Sequence, residues 1–453
     1  MPGGGSTVPG EGPNVSDSEA SSMIPMLSAE RFGRLAGTFL ILCAARCGSV
    51  LANDVPVADT GALIAAINAA APGDRILLAA GTYQVNVNLN CTAAGTAAQP
   101  IEVRAPTPRS VLIRFANASG VTEGFKVSAP HWHFEGLDIE GACANDSDCE
   151  HAFHLTGNAD FTILRDNRVR DFNAQLKSNT ASPGSGLFPD DVLIERNAFY
   201  DTRGRNTANP VTKLDVVGGR RWIVRANTIH DYQKLGGDTV SYAAFLKGNS
   251  RDGLFERNLV ICQRDFSGGV RLGLSFGGGG SSPGGICEDG SCTPEHQNGV
   301  MRNNLILHCP DVGIYLNSAA GSRLEHNTLY DTSGIDVRFP ASTAEVRNNL
   351  LGGQIRNRDG GTSTQTGNLS QVALDSFANW FVDPAQADFR LVDGTAFVDQ
   401  GVAAPLVLDD FCGNDRNDGA RDIGALEYDA DFACITTTGG GLGESIFVDG
   451  FDP

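Results

Sequence analysis

Between Tyr242 and Gly280 apolar and polar residues alternate in short runs, AAFLK, GLFE, LVIC and VRLGLSF, with Gly, Asn, Ser and Asp between them. Period-two alternation with turn residues at each break predicts brief strands joined by tight turns. A related signature recurs down the chain as a charged residue, one variable residue, Asn and an apolar position: RDNRV, ERNAF, RANTI, ERNLV, RNNLI, EHNTL and RNNLL. Its asparagines are Asn167, Asn197, Asn227, Asn258, Asn304, Asn327 and Asn349, spaced by 30, 30, 31, 46, 23 and 22 residues. A short coil with insertions at fixed places predicts an all-β parallel β-helix, whose coils bury their apolar faces only by stacking. The asparagines then belong to the scaffold, as an internal amide ladder at turns that tolerate the left-handed conformation.

The open end of such a solenoid needs a cover, and TGALIAAINAAAPGDRILLAAGTY supplies one. Leu63, Ile64, Ile67 and Ala71 share a helical face, Pro72-Gly73 stops the helix, and the strand RILLA follows. Residues 1–22 carry no core-forming pattern, and Met23 or Met26 is the expected start. After them Arg31, Arg34, the apolar LAGTFLILCAA and the small residues Val50 to Ala52 read as a secretory signal cleaved before Asn53. The expected organisation is therefore a leader and signal over 1–52, a β-helix over 53–429 and a flexible tail over 430–453.

Inward apolar and outward polar positions alternate along each strand. His154 points outward from HAFHLTG, Lys213 and Asp215 from VTKLDVVGG, Lys247 from YAAFLKGN, and Arg271 and Ser275 from GGVRLGLSF. Further along, Tyr315 and Asn317 and then Asp336 and Arg338 are outward. If one coil separates Lys247 from Arg271, the two cations lie on neighbouring rungs about 4.8 Å apart.

Net charge changes the meaning of that strip. The chain carries −19 at neutral pH, which argues against a nucleic-acid partner, and no apolar run is long enough to span a bilayer. A local basic strip of Lys213, Lys247, Arg271 and Arg338 on such a protein is a candidate anion-binding groove. It suits β-elimination on a uronate polymer, which needs a cation at the sugar carboxylate, a base for the adjacent carbon-bound proton and an acid for the leaving oxygen. Lysine is a poor base at its usual pKa of about 10.4, but a neighbouring cation lowers it. Lys247 beside Arg271 meets that need, with Lys213, Asp215, His154, Tyr315, Asn317, Arg338 and His296 lining the groove.

At this pair the chain resembles secreted right-handed parallel β-helix proteins, and more narrowly the polysaccharide lyases of the chondroitinase B and alginate lyase type. The broad resemblance runs from Asp54 to about Asp429 and includes PIEVRAP, FRLVDGTAFVDQG and DDFCGNDRNDGARDIGALEY. It implies Lys247 as base, Arg271 as acid or carboxylate neutraliser, and an acidic polysaccharide or oligosaccharide as partner of a monomeric, secreted or periplasmic enzyme. It also brings in calcium as a cofactor. Where those lyases carry Arg-His-Gly and Glu-x-Glu, this chain has Arg271-Leu272-Gly273 and, ahead of the lysine, Val240 and Tyr242.

The insertion GGGGSSPGGICEDGSCTPEHQNG explains the 46-residue spacing, and Glu295 and His296 can reach the groove from it. Cysteine spacing pairs Cys143 with Cys149, Cys287 with Cys292, and Cys262 with Cys309, leaving one of Cys91, Cys412 and Cys434 over. No His pair accompanies them, so no zinc site is read from the cysteines. Two other function classes stand beside the lyase: a glycoside hydrolase, which needs paired carboxylates about 5 to 9.5 Å apart, and a non-catalytic polysaccharide-binding scaffold.

Overall fold

In the computed structural model the short runs become strands stacked in parallel, coil upon coil. The structure describes residues 52–428 except 118–119, 279–280, 282–285 and 417–418. The expected signal and the C-terminal tail lie outside the described residues. One coil runs Ile223–Arg225, Thr228–His230 and Val240–Lys247, and the next Leu254–Glu256, Leu259–Ile261 and Val270–Phe276. Each strand pairs in parallel with its counterpart. Three long parallel sheets result, and the main apolar core lies between them.

The cover at the open end is a helix, Thr60–Ala69, whose Asp59 cap accepts the Ala62 N–H at 2.8 Å. Leu63, Ala66 and Ile67 are buried and Ile64 packs against the core, whereas Ala71 lies beyond the helix and is exposed. A strand absent from the sequence reading, Asn53–Val57, precedes the helix and pairs with Asp74–Leu78.

The asparagine ladder is continuous and gains a member, Asn368. Asn258 shows how each rung works. Its Oδ1 accepts the backbone N–H and the Nδ2 of Asn227, both at 3.1 Å, while its own Nδ2 donates to Val224 O and Asn304 Oδ1. The left-handed residue is the one before each ladder Asn, from Asp166 (φ 57°) to Asn348 (φ 54°), so the amide is free to point inward. Because Asn258 is fully buried, Asn258→Leu is expected to cost about 3 kcal/mol, from lost bonds and stranded partners. Urea unfolding checks this, and a parental midpoint contradicts it.

Two residues before each ladder Asn, the motif's charged position forms a second register. Arg104, Glu135, Arg165, Glu195, Arg225, Glu256, Arg302, Glu325 and Arg347 are successive partners across one sheet. Strict alternation of sign follows from in-register stacking, which sets each charge about 4.8 Å from its neighbours. Arg225 to Glu195 at 2.7 Å and Arg302 to Glu256 at 2.7 Å are typical.

The coils end near Thr362–Thr366. Beyond them, the remaining described residues to Tyr428 fold back over the outside of the sheet that contains Leu259–Ile261. Phe377, Phe381, Phe389, Phe397, Phe411 and Tyr428 cover the outward Leu259, Ile261, Leu305 and Leu307 in a second apolar cluster. This leaves the sheet containing Val240–Lys247 as the face that bears the predicted groove.

Candidate functional site

The groove face is built from two outward rows. One comprises Lys126, His154, Lys177, Asp215, Phe245, Ser275, Tyr315, Asp336 and Arg356 on successive strands. The other, two residues further along each strand, contains Asn179, Lys247, Asn317 and Arg338. Lys247, Asp215 and His154 thus share the face, as expected.

Lys213 and Arg271 do not. Four strands place two consecutive buried residues at the same step, Ala152-Phe153, Gln175-Leu176, Lys213-Leu214 and Ala243-Ala244. Parity reverses across this step, so alternation counted back from Leu214 puts Lys213 on the wrong side. Lys213 is 0% exposed, donates to Phe172 O at 2.9 Å and Asp201 Oδ2 at 2.6 Å, and is pushed down to about 8 by burial, with Asp201 opposing. Arg271, also 0% exposed, lies ahead of the step; it donates Nη1 to Cys262 O at 2.6 Å and Nε to Gly268 O at 2.9 Å. Its register partner is Ser241, not Lys247. Six residues of extended strand then separate the level of Arg271 from that of Lys247, about 20 Å. The expected Lys–Arg pair does not form, and Arg271→Ala is accordingly expected to lower stability rather than substrate affinity.

Two further expectations change. His296 is buried, stacks on Phe276 at 4.2 Å and bonds through Nδ1 to Ser250 Oγ at 2.7 Å, away from the groove. Tyr315 is buried against Leu272 and Val312 in a small outer apolar cluster, with its hydroxyl accepting from Arg338 at 3.2 Å. Arg338 is also held by Asp359, and Asn317 is half-buried beside it. Burial holds the His296 imidazole down to about 3. An unfolded histidine titrates near 6.5, so between pH 6.5 and 3 the unfolded chain binds a proton that the folded chain refuses. Its contribution to stability is complete above pH 6.5 and is lost as pH falls toward 3. His296→Gln is expected to flatten the acid limb of a denaturation profile; an unchanged limb contradicts the assignment.

Around Lys247 the face is chemically dense. Its Nζ lies 4.5 Å from the centroid of Phe245, and burial lowers its pKa, Asp215 opposing and Lys177 reinforcing the shift. Lys177 donates to Asp215 Oδ1 at 2.7 Å. Burial works to raise the Asp215 carboxyl, but Lys177 and Lys247 outweigh it and hold it below the usual range. The long insertion clamps the strand end just past Lys247: Glu295 Oε2 accepts the Gly248 N–H at 2.8 Å, and Gly248 O accepts the Glu288 N–H at 2.9 Å. A Cβ on Gly278 would stand 3.1 Å from the Phe245 ring and 3.3 Å from Lys247 Cδ, so the start of the glycine run lets the chain pass close over this pair.

Beyond Asp215 lie His154, Glu123 and His151. His154 Nδ1 is 2.8 Å from Glu123 Oε1 and its Nε2 is 3.1 Å from Asn179 Oδ1. Glu123 is drawn down to about 2 by His154, with Lys126 adding to this against burial. Glu123 and His151 escaped the sequence reading because they precede the first ladder asparagine, Asn167, whereas Lys177 lies between Asn167 and Asn197 on a strand, Ala174–Asn179, whose alternation was not followed. The available signal was the polar alternation in AQLKSN and the two histidines of HAFH. Val240 and Tyr242, where the resemblance would bring calcium, pack against the outer apolar cluster and offer no carboxylate, so they do not fit a calcium site. A cavity of about 860 Å³ lies elsewhere, between Gln263, His308, Asp331 and Gln371; the groove chemistry is not in it.

Cys143–Cys149, Cys262–Cys309 and Cys287–Cys292 are disulfides and Cys91 is a buried free thiol. Among the described residues no helix is long and apolar enough to cross a membrane.

Stacked parallel coils with an internal Asn ladder and a capping helix define a right-handed parallel β-helix protein, and the family comparisons agree on that fold. A family described as "Pel9A-like, right handed beta helix region" matches residues 44–202, and one described as "Right handed beta helix region" matches residues 151–372. Among solved structures, pectate lyase Pel9A is similar over 84% of this chain and 98% of its own, with TM-score 0.56 and 15% identity. An alginate lyase from Paenibacillus sp. str. FPU-7 covers 70% of this chain and 99% of its own, with TM-score 0.44 and 16% identity. A rhamnogalacturonan lyase covers 68% and 82%, with TM-score 0.44 and 15% identity. No curated protein matches the sequence.

Proposed function

We propose that this protein is an exported lyase that cleaves an acidic, uronate-containing polysaccharide by β-elimination. The observation that carries the reading is Lys247, an amine on the outward face of the long parallel sheet, whose basicity burial has lowered. A neutral amine there removes the carbon-bound proton beside the uronate carboxylate, and its conjugate acid is positioned to return a proton to the departing oxygen. Lys177, not Arg271, is the neighbouring cation on this face. The three disulfides among the described residues suit an oxidising compartment.

The hydrolase reading is weaker on geometry. Asp215 and Asp336 are four strand steps apart in one row, about 19 Å, beyond the roughly 9.5 Å that paired hydrolytic carboxylates span. Asp336 is also held by Arg356 and Arg358, both at 2.6 Å. A carboxyl-reduced copy of the cleaved polymer tests the proposal, because elimination requires the acidifying carboxylate. Cleavage of native but not reduced polymer is expected; equal cleavage of both overturns it.

A further inference from the structure

We propose that Glu123, His151 and His154 form a binding site for a divalent transition-metal ion such as Zn²⁺ at one end of the groove. Among the described residues their ligand atoms lie within 4.8 Å of one another. Two imidazoles and one carboxylate are the donors that such ions take and that calcium, a ligand of oxygens, does not. A tetrahedral ion with bonds of about 2.1 Å sets its ligand atoms about 3.4 Å apart. Here Glu123 Oε1 stands 2.8 Å from His154 Nδ1 and 4.0 Å from His151 Nδ1, spacings that bracket that value.

Three independent features point to an ion rather than to a plain hydrogen-bond network. Among the described residues His151 Nδ1 is shielded from solvent, has no hydrogen-bond partner and stands 4.0 Å from Glu123 Oε1, which leaves this nitrogen for a ligand. Both ring nitrogens of His154 face oxygens, Nε2 toward Asn179 Oδ1 and Nδ1 toward Glu123 Oε1, so the ring is held with Nδ1 directed at the carboxylate and at His151. An amide oxygen holding the far nitrogen of a histidine is also the usual outer support of a metal ligand. Lys126 contacts Glu123 Oε2, which leaves Oε1 turned toward the two imidazoles. The other histidine-carboxylate group, His230, Asp231 and Asp265, lacks this character, because Asp231 already accepts from His230, Arg264 N–H and Asp265 N–H.

The position gives the ion a task that Arg271 cannot perform. His151 and His154 share the groove face with Lys177 and Asp215, so an ion with an open coordination position would meet a substrate carboxylate there; that role, unlike the site itself, rests on the lyase reading.

The test uses the whole protein, stripped with a chelator and titrated with Zn²⁺ in excess Ca²⁺. One equivalent of Zn²⁺ is expected, undisplaced by Ca²⁺, and Cu²⁺ bound to the parent should show electron paramagnetic resonance coupling to two imidazole nitrogens. Asn179→Ala should weaken binding by about 10-fold to 100-fold, and His151→Ala should abolish the equivalent. No stoichiometric Zn²⁺, a copper spectrum without two nitrogens, or a His151→Ala variant that still binds one equivalent overturns the proposal. A protein that eliminates uronates yet binds no metal sinks the site and leaves the lyase reading intact. One that binds the metal through these residues and cleaves no uronate does the reverse.

Discussion

Replacement of Lys247 by alanine is expected to lower turnover by about 10² to 10⁴ on any uronate polymer that the parent cleaves, the usual worth of a positioned proton-transfer group. The fold should survive, because Lys247 is at a strand end on the outward face and the core beneath it is Leu246. Equal melting temperatures with a collapsed kcat identify a chemical role. The pH dependence offers a second reading of the same residue: kcat/KM should rise with pH toward a plateau whose midpoint lies below the usual lysine value near 10.4, since burial lowers the Lys247 pKa. Full activity in Lys247→Ala removes the residue from the mechanism.

The largest stability effect belongs to the other lysine. Lys213 and Asp201 are both inaccessible to solvent and bonded at 2.6 Å. Asp201→Ala leaves an ammonium in the core with only a carbonyl for company, which should cost about 3 to 5 kcal/mol. Lys213→Met combined with Asp201→Leu should recover most of that loss, because apolar replacement of a buried pair is often neutral. Urea unfolding of the three proteins decides it. A parental midpoint for Asp201→Ala would mean that Lys213 reaches solvent, as the simple alternation of VTKLDVV implies.

That contrast between two lysines marks where the sequence stops being legible. The β-helix could be read from seven asparagines because the ladder needs the same side chain at the same turn in every coil, and the capping helix from its own periodicity. The signs in RDN, ERN, RAN, ERN, RNN, EHN and RNN were equally visible, yet their alternation acquires meaning only once the charged positions are known to stack in register. Lys247 was placed correctly because Phe245, Leu246 and Lys247 all follow the parity-reversing step before the strand ends, so alternation counted from Leu246 holds. Lys213 and Arg271 were misplaced because that step is a backbone feature with no residue signature: Gln, Lys and Ala occupy it in successive coils. His296 was misjudged for a related reason, since its burial depends on Ser250 and Phe276 from other coils. Glu123 is brought to this face by a coil that precedes the first ladder asparagine, so the ladder does not report it.

The reassignment leaves a site with a different organisation from the one expected. Instead of two cations side by side, the face presents Lys247, the Lys177–Asp215 pair and the Glu123–His151–His154 group in sequence along the helix axis. A polymer lying along that axis would pass all three.

The measurement that bears most directly on this account is incubation of the purified protein with a panel of uronate polymers, followed by the ultraviolet absorbance of an unsaturated chain end. The account predicts that absorbance grows with at least one polymer and fails to grow with the Lys247→Ala protein. Chain cleavage that leaves only saturated ends, or no cleavage of any uronate polymer, would contradict it.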